Sequence, residues 1–249
     1  MIEKEDKFLL AQLQDQISHC LEYGIPGNTG FLDNRQAALA EALCRKNPGL
    51  NYQLDGGYEE AERKVCQLTP ADQEELDLLS VLRIRKKGPK DLTHRDYLGS
   101  LLALGIKRSQ LGDILVREDG ADVLILQELG PFFLSEMDRV GNLPVAVEIM
   151  DLSQLQVVSA PREEVRLTVS SLRLDNLTSA AFRVSRGDAS EAIRQGLIFV
   201  NGLPQSKPDR NLQPGDKLVF RGKGKIILSD ILGNTKKDKI AVVIQIFKG

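Results

Sequence analysis

Arginines near the start of a short predicted helix are the side chains of this sequence best suited to bind an anion. Ser185 can cap that helix, with Asp188 three residues later, and Arg186 lies one residue inside it. Arg183 precedes the helix start, and Arg194 lies on the same helix. A helix N-terminus offers free N–H groups and a positive dipole end, and a guanidinium pairs with phosphate through two hydrogen bonds. The pattern therefore predicts a phosphate-binding site.

Basic residues recur further along the same region. Gly222 and Gly224 would let a basic loop approach a phosphate backbone closely. Taken singly, each arginine is expected to be a solvated surface side chain, but together on one small domain they favour RNA. Lys236 and Lys237, in a polar turn, are expected to act mainly as diffuse charge. The candidate RNA-binding residues are Arg173, Arg183, Ser185, Arg186, Ser190, Arg194, Asn201, Lys207, Arg221, Lys223 and Lys225.

The positive charge is concentrated in the last third of the chain, although the whole sequence has a net charge of −2. Residues 1–78 carry 7 Lys and Arg against 15 Asp and Glu, and residues 79–165 carry 11 against 13. Residues 166–249 carry 15 against 7, which is a net charge of +8. This asymmetry indicates an anionic partner for the last third alone.

The elements that would position the basic residues are two short helices and a hairpin. Residues 174–181 carry apolar side chains at helical spacing, and the second helix ends at Gly196. Residues 197–200 are predicted to be a strand, which Asn201-Gly202 closes with a hairpin turn. This region, residues 166–249, is the last of three domains in a predicted α+β fold.

Two domains are predicted before it. Residues 1–78 form a small N-terminal α/β domain, with an amphipathic helix over 3–23, a second helix that Asp33 can cap, and a short helix or a connection over 58–66. Residues 79–165 have the β-α-β-β-α-β order of a ferredoxin-like domain, which RNA-recognition motifs share. Its candidate strands carry no aromatic run for base stacking. Those strands are 80–85, 113–118, 121–127 and 143–150, and the helices are 93–105 and 131–140.

Other classes of protein lack support in the sequence. Cys20, Cys44 and Cys66 form neither a zinc pattern nor a disulfide framework, so we expect ordinary thiols in a reducing cytoplasm. No stretch of about 18 apolar residues predicts a membrane span, and the first residues lack a secretory-signal pattern. No acid–base pair, metal cluster or nucleotide-binding loop can be assembled. We therefore expect no cofactor, no metal and no enzymatic activity.

Two family resemblances rest on longer motifs. Residues 171–228 resemble the S4 RNA-binding domain: R-L-D at 173–175 is followed by S-R-x-x-A-x-x-x-I-x-x-G-x-x-x-V-N-G at 185–202, P-G-D and a basic strand. LTHRDYLGSLLALGIKRSQLGDILV (92–116), with FLDNRQ (31–36) and SLRLD (171–175), resembles the YlmH family of bacterial S4 proteins. Relatives of that family in cyanobacteria and plastids are the photosystem II S4-domain proteins.

The YlmH resemblance implies a function on the ribosome. It implies a non-enzymatic factor of the large subunit that acts in ribosome-associated quality control of stalled nascent chains. The partners implied are large-subunit ribosomal RNA, peptidyl-tRNA and proteins of the quality-control machinery, with no membrane partner. Genes of this family often lie in a cell-division cluster, so a protein-interaction factor in division is an alternative.

A second alternative is an RNA-modifying enzyme. Arg173-Leu174-Asp175 with Thr178-Ser179 is similar to the catalytic run of pseudouridine synthases that carry S4 domains, in which the aspartate is catalytic. The flanking glycines of that run are absent here, and the S4 pattern already occupies the residues that follow. We therefore interpret Asp175 as a helix-start residue that the helix dipole favours.

Overall fold

The computed structural model describes residues 4–73, 76–157, 162–235 and 239–247. They fall into two compact units, one ending at residue 157 and the other containing the described residues from 162 onward. Both units contain helices and sheets, which confirms the predicted α+β fold class. No helix among the described residues is long and apolar enough to cross a membrane.

The first unit begins with two helices and a small sheet. Its elements are α1 (Lys4–Tyr23), β1 (Gly27–Leu32), α2 (Asn34–Cys44), β2 (Leu50–Asp55) and β3 (Lys64–Pro70). The strands form an antiparallel sheet in the order β1-β3-β2, and Leu13, Ile17 and Leu68 are fully buried in its shared core with the helices. Asp33 caps α2 as predicted, because its carboxylate accepts a hydrogen bond from the Gln36 N–H at 2.8 Å.

Residues 58–63 form a connection, which is one of the two predicted alternatives, but the prediction is wrong for residues 64–66, because the chain is a strand from Lys64 onward. Cys66 and Leu68 pack on the helices, whereas Val65 packs into a second apolar cluster. With both faces buried, the strand has no alternation of polar and apolar residues.

The rest of the first unit is a five-stranded antiparallel sheet with two helices. Its elements are β4 (Leu79–Lys86), α3 (His94–Ala103), β5 (Leu111–Arg117), β6 (Gly120–Leu126), α4 (Gly130–Glu136), β7 (Arg139–Val140) and β8 (Leu143–Met150). The strand order is β5-β6-β4-β8-β7, which adds one short strand to the predicted β-α-β-β-α-β arrangement. Helix α4 ends at Glu136, earlier than predicted, because residues 139–140 pair with β8.

The second unit is a six-stranded antiparallel sheet with two helices. Its elements are β9 (Arg162–Val169), α5 (Leu174–Phe182), α6 (Arg186–Arg194), β10 (Ile198–Val200), β11 (Leu203–Pro204), β12 (Lys217–Phe220), β13 (Gly224–Asn234) and β14 (Ile240–Phe247). The strand order is β11-β10-β12-β13-β14-β9. The predicted Asn201-Gly202 turn is present, with φ values of 50° and 78°.

The structure adds detail at the expected edges of the third domain. Strand β9 begins at Arg162 and pairs with β14 along all eight of its residues, so this sheet starts before residue 166. The division into three domains stays a prediction. Lys236 and Lys237 lie outside the described residues.

Candidate nucleic-acid interface

One buried aspartate and two arginines form an ion cluster at the starts of α5 and α6. The Asp175 side chain, in the first turn of α5, is 4% exposed. Arg173 donates to both carboxylate oxygens at 3.2 Å, and Arg186 contacts Oδ2 at 3.0 and 3.1 Å. Burial by itself raises the pKa of Asp175, but the hydrogen bonds from both arginines outweigh it, so this pKa lies below its ordinary value. The ionised carboxylate therefore neutralises part of the arginine charge.

The start of α6 is better placed than the start of α5 to meet a phosphate. The first N–H groups of α5 already donate to carbonyl groups of residues 208–210. At α6, Ser185 Oγ accepts a hydrogen bond from the Asp188 N–H at 3.1 Å, which is the predicted cap. Across the described ranges, no hydrogen bond uses the N–H groups of Arg186 and Gly187. These two groups are available to an anion at the positive end of the helix.

Three more candidate residues converge at the C-terminal end of α5. Arg183 ends this helix in the left-handed conformation, with φ 53° and ψ 47°. Lys223 and Lys225 lie on the hairpin between β12 and β13, and with Arg183 they line a cavity of about 300 Å³. The Lys225 Nζ lies 4.3 Å from the centroid of the Phe247 ring. The sequence predicts these three cations as candidates, but not that they share a cavity.

The remaining candidate residues have separate surroundings. The Arg221 guanidinium lies 5.4 Å from the centroid of the Phe199 ring. Arg194 is exposed and lies 3.8 Å from Glu191. Lys207 is exposed, and Ser190 is half-buried. Their contact with RNA stays a prediction.

Asn201 has a structural role in this unit. Its side-chain amide donates a hydrogen bond to Asp216 Oδ1 at 2.7 Å and accepts one from the Lys217 N–H at 2.9 Å. These bonds tie the β10–β11 turn to the start of β12. An RNA contact through Asn201 would have to compete with them.

RNA-recognition motifs stack bases on one face of their sheet. In the sheet of β4 to β8, part of the corresponding face is covered. The helices α3 and α4 share a core with one face of this sheet. On the other face, Val81 and Leu124 pack with Phe31 and Val65 from the first three strands. A Cβ added at Gly112 would lie 2.6 Å from the Phe31 ring, which shows how closely these parts pack. The covered part of this face is therefore not free for base stacking.

The rest of that face holds a charged cluster. Asp122 on β6 is fully buried and accepts hydrogen bonds from Arg83 at 3.0 Å and from Arg117 at 2.7 Å. No aromatic residue occurs on the central strands β4 and β6. The two arginines are thus committed to a carboxylate, and any RNA contact of this sheet must use other residues.

Aromatic residues of the second unit were missed by the sequence interpretation. Phe182, at the end of α5, and Phe247, at the end of β14, line the cavity that Arg183 enters. Phe182 directly precedes Arg183 in the sequence, which was the one available signal. Nothing in the sequence pattern places Phe247 beside them.

Comparisons with known proteins identify the family. Residues 76–154 match the family described as "Putative RNA-binding domain in YlmH", and residues 172–218 match the S4 domain. A Bacillus subtilis (strain 168) protein named "Ribosome-associated protein quality control protein P2" is 33% identical over 222 residues, covering 87% of this chain and 86% of that protein. The chain belongs to the YlmH family. This membership confirms the resemblance to the YlmH family that the sequence motifs indicated. One of the two matched regions is described as a putative RNA-binding domain and the other as an S4 domain.

A solved structure supports the same YlmH fold. It is titled "Cell division protein ylmH from Streptococcus pneumoniae" and matches with a TM-score of 0.54 at 23% identity. The match covers 62% of this chain and 96% of the streptococcal chain. At this identity the likeness concerns the fold alone.

Proposed function

We propose that this YlmH-family protein is a non-enzymatic factor that binds ribosomal RNA of the large subunit, close to peptidyl-tRNA, in quality control of stalled nascent chains. The observation that carries the proposal is the convergence of Arg183, Lys223 and Lys225 on one cavity of the S4-containing unit. Cations on two neighbouring elements can pair with phosphates of an RNA backbone, and such phosphate contacts supply much of the affinity of RNA-binding proteins.

Support for the ribosome comes from the name of the curated relative, which describes that protein as ribosome-associated and as part of quality control. The charge distribution agrees, because the last third of the chain is basic whereas the first third is acidic. Counterion release from an RNA backbone gives the basic third its affinity and makes that affinity salt-dependent.

The surroundings of Asp175 favour binding over catalysis. A synthase nucleophile must reach its substrate, but the Asp175 carboxylate is 4% exposed and is held by Arg173 and Arg186. Within the described parts of the chain, no group of three or more His, Cys, Asp or Glu is arranged to hold a metal ion. Mass spectrometry of ribosomal RNA from a deletion strain tests this point. Loss of one pseudouridine, restored by the wild type but not by Asp175→Asn, would favour the synthase alternative.

Sedimentation with separated ribosomal subunits tests the main proposal. The full chain should travel with large subunits at low salt and dissociate steeply as salt rises. The double variant Arg183→Ala, Lys223→Ala should bind at least tenfold more weakly. The matched control is Arg166→Ala, Lys239→Ala, which removes one arginine and one lysine that are exposed elsewhere in the same unit. Failure of the wild type to bind large subunits would contradict the proposal.

A further inference from the structure

The cavity at the C-terminal end of α5 combines cations with an apolar lining. Its volume is about 300 Å³, and it lies between the end of α5, the β12–β13 hairpin and the end of β14. Arg183, Lys223 and Lys225 supply positive charge, whereas Phe182, Ile246 and Phe247 supply apolar surface. None of the described residues that line it is acidic. A ligand that fills it must therefore offer both an anion and a flat or apolar part.

The backbone at Arg183 adopts a conformation that is uncommon for residues other than glycine. The left-handed conformation at the end of a helix normally favours glycine, which has no Cβ to clash. Here an arginine adopts it, with φ 53°. Residues other than glycine in this conformation cluster at ligand-binding sites, and this arginine lines the cavity.

Two lysines of the cavity lie near phenylalanine rings: Phe247, which lines the cavity, and Phe220, which does not. The Lys225 Nζ lies 4.3 Å from the centroid of Phe247, and the Lys223 Nζ lies 5.7 Å from that of Phe220. Phe220 in turn contacts Phe182 edge to face, with 5.4 Å between centroids. An aromatic surface beside cations is the combination that holds single nucleotides, because the base stacks while the phosphate pairs with charge.

We propose that this cavity binds one unpaired nucleotide of the RNA. Its base would lie against Phe182 and Phe247, and its phosphate would contact Arg183 and Lys223. A regular RNA duplex presents phosphates and hydroxyl groups but keeps its bases stacked inside, so it would leave the apolar lining unused. The volume is at the lower end of ligand pockets, which suits one base rather than two. This inference rests on the proposed RNA-binding function and names the RNA feature that the cations alone leave open.

Two RNA hairpins test the inference with the full chain. One has a fully paired stem, and the other has the same stem with a single bulged adenosine. Fluorescence anisotropy at one salt concentration should give about tenfold tighter binding of the bulged hairpin, as expected for one base stacked on aromatic side chains. Phe247→Leu keeps an apolar side chain but removes the ring, so the preference for the bulged hairpin should fall to twofold or less. Lys223→Ala should weaken binding of both hairpins.

A second measurement needs no variant. Ultraviolet cross-linking of the wild type to large ribosomal subunits, followed by mass spectrometry, should find a nucleotide adduct on the peptide that contains Phe182 or Phe247. Equal binding of both hairpins, with adducts only outside the cavity, would overturn the inference while leaving RNA binding in place. Absence of any binding to hairpins and to large subunits would instead contradict the proposed function.

Discussion

Asp175→Asn is the most informative single substitution in the second unit, because it removes one charge from a buried ion cluster and keeps the shape. The carboxylate is 4% exposed, while its partners Arg173 and Arg186 are 38% and 56% exposed. A hydrogen bond to a charged group contributes about 1.5–3 kcal/mol where solvent does not screen it. Exposed ion pairs contribute only about 0.2–1 kcal/mol, so we expect a total loss of about 1–2 kcal/mol in the free energy of unfolding.

Urea unfolding followed by circular dichroism measures this loss at neutral pH. The matched control is Asp188→Asn, which removes an exposed acid from the first turn of α6. That control should cost at most about 0.3–1 kcal/mol, the range for a charge near a helix end. Equal unfolding midpoints for the wild type and Asp175→Asn would show that the cluster does not stabilise the unit.

The same comparison has a defined pH dependence. The folded-state pKa of Asp175 is depressed, so its stabilisation is fully present above the unfolded pKa of about 3.9. It is lost as the pH falls through the lower folded pKa. The stability gap between wild type and Asp175→Asn should therefore be constant from pH 7 to about pH 5 and close at more acidic pH. A gap that widens on acidification would refute the assigned role.

Asp175→Asn should lower the stability of the protein but should not lower its affinity for RNA. Losing the carboxylate frees the charge of Arg186 at the start of α6, so binding to large subunits should stay equal or become tighter. A folded Asp175→Asn protein that binds RNA more weakly would mean that the carboxylate holds Arg173 and Arg186 in the position that RNA needs.

Three further outcomes are expected. Arg186→Ala should weaken binding to large subunits by about 1–3 kcal/mol, whereas Lys239→Ala should weaken it by under about 1 kcal/mol. Titration at one fixed salt concentration measures both losses, and equal losses would indicate binding by bulk charge. Asp122→Ala should lower the free energy of unfolding by about 3–5 kcal/mol in urea, because it leaves two largely buried arginines without their carboxylate. Reaction with a thiol reagent should follow unfolding, and fast labelling of the native protein would contradict the burial of Cys20, Cys44 and Cys66.

Features set by neighbouring residues could be predicted from the sequence. The caps at Asp33 and Ser185 follow from side chains that reach a backbone N–H three residues away. The Asn201-Gly202 turn follows from residues that tolerate positive φ. In the same way, the alternation in residues 80–85 predicts a strand that the structure confirms as part of β4.

Features that depend on distant residues could not be predicted. Arg183 and Lys223 are about 40 residues apart in the sequence, and only the pairing of β12 with β13 and β14 brings Phe247 to the same cavity. The partner of Arg186 is likewise a tertiary contact, since Asp175 belongs to the preceding helix. Sequence spacing identifies the charged residues, but it does not show which charges are already paired.

The five-stranded sheet of the first unit is not available for base stacking on the face that RNA-recognition motifs use. Its β-α-β-β-α-β order is shared with RNA-recognition motifs, yet the face that would stack bases is packed against Phe31 and Val65. Uncovering that face would expose this buried apolar cluster. The free-energy cost would be about 25 cal/mol for each Å² of apolar surface returned to water. The central strands β4 and β6 also have no aromatic residue on which a base could stack. This sheet face therefore does not stack bases in the manner of an RNA-recognition motif, and the proposed stacking residues are Phe182 and Phe247 of the second unit, which lie beside three cations.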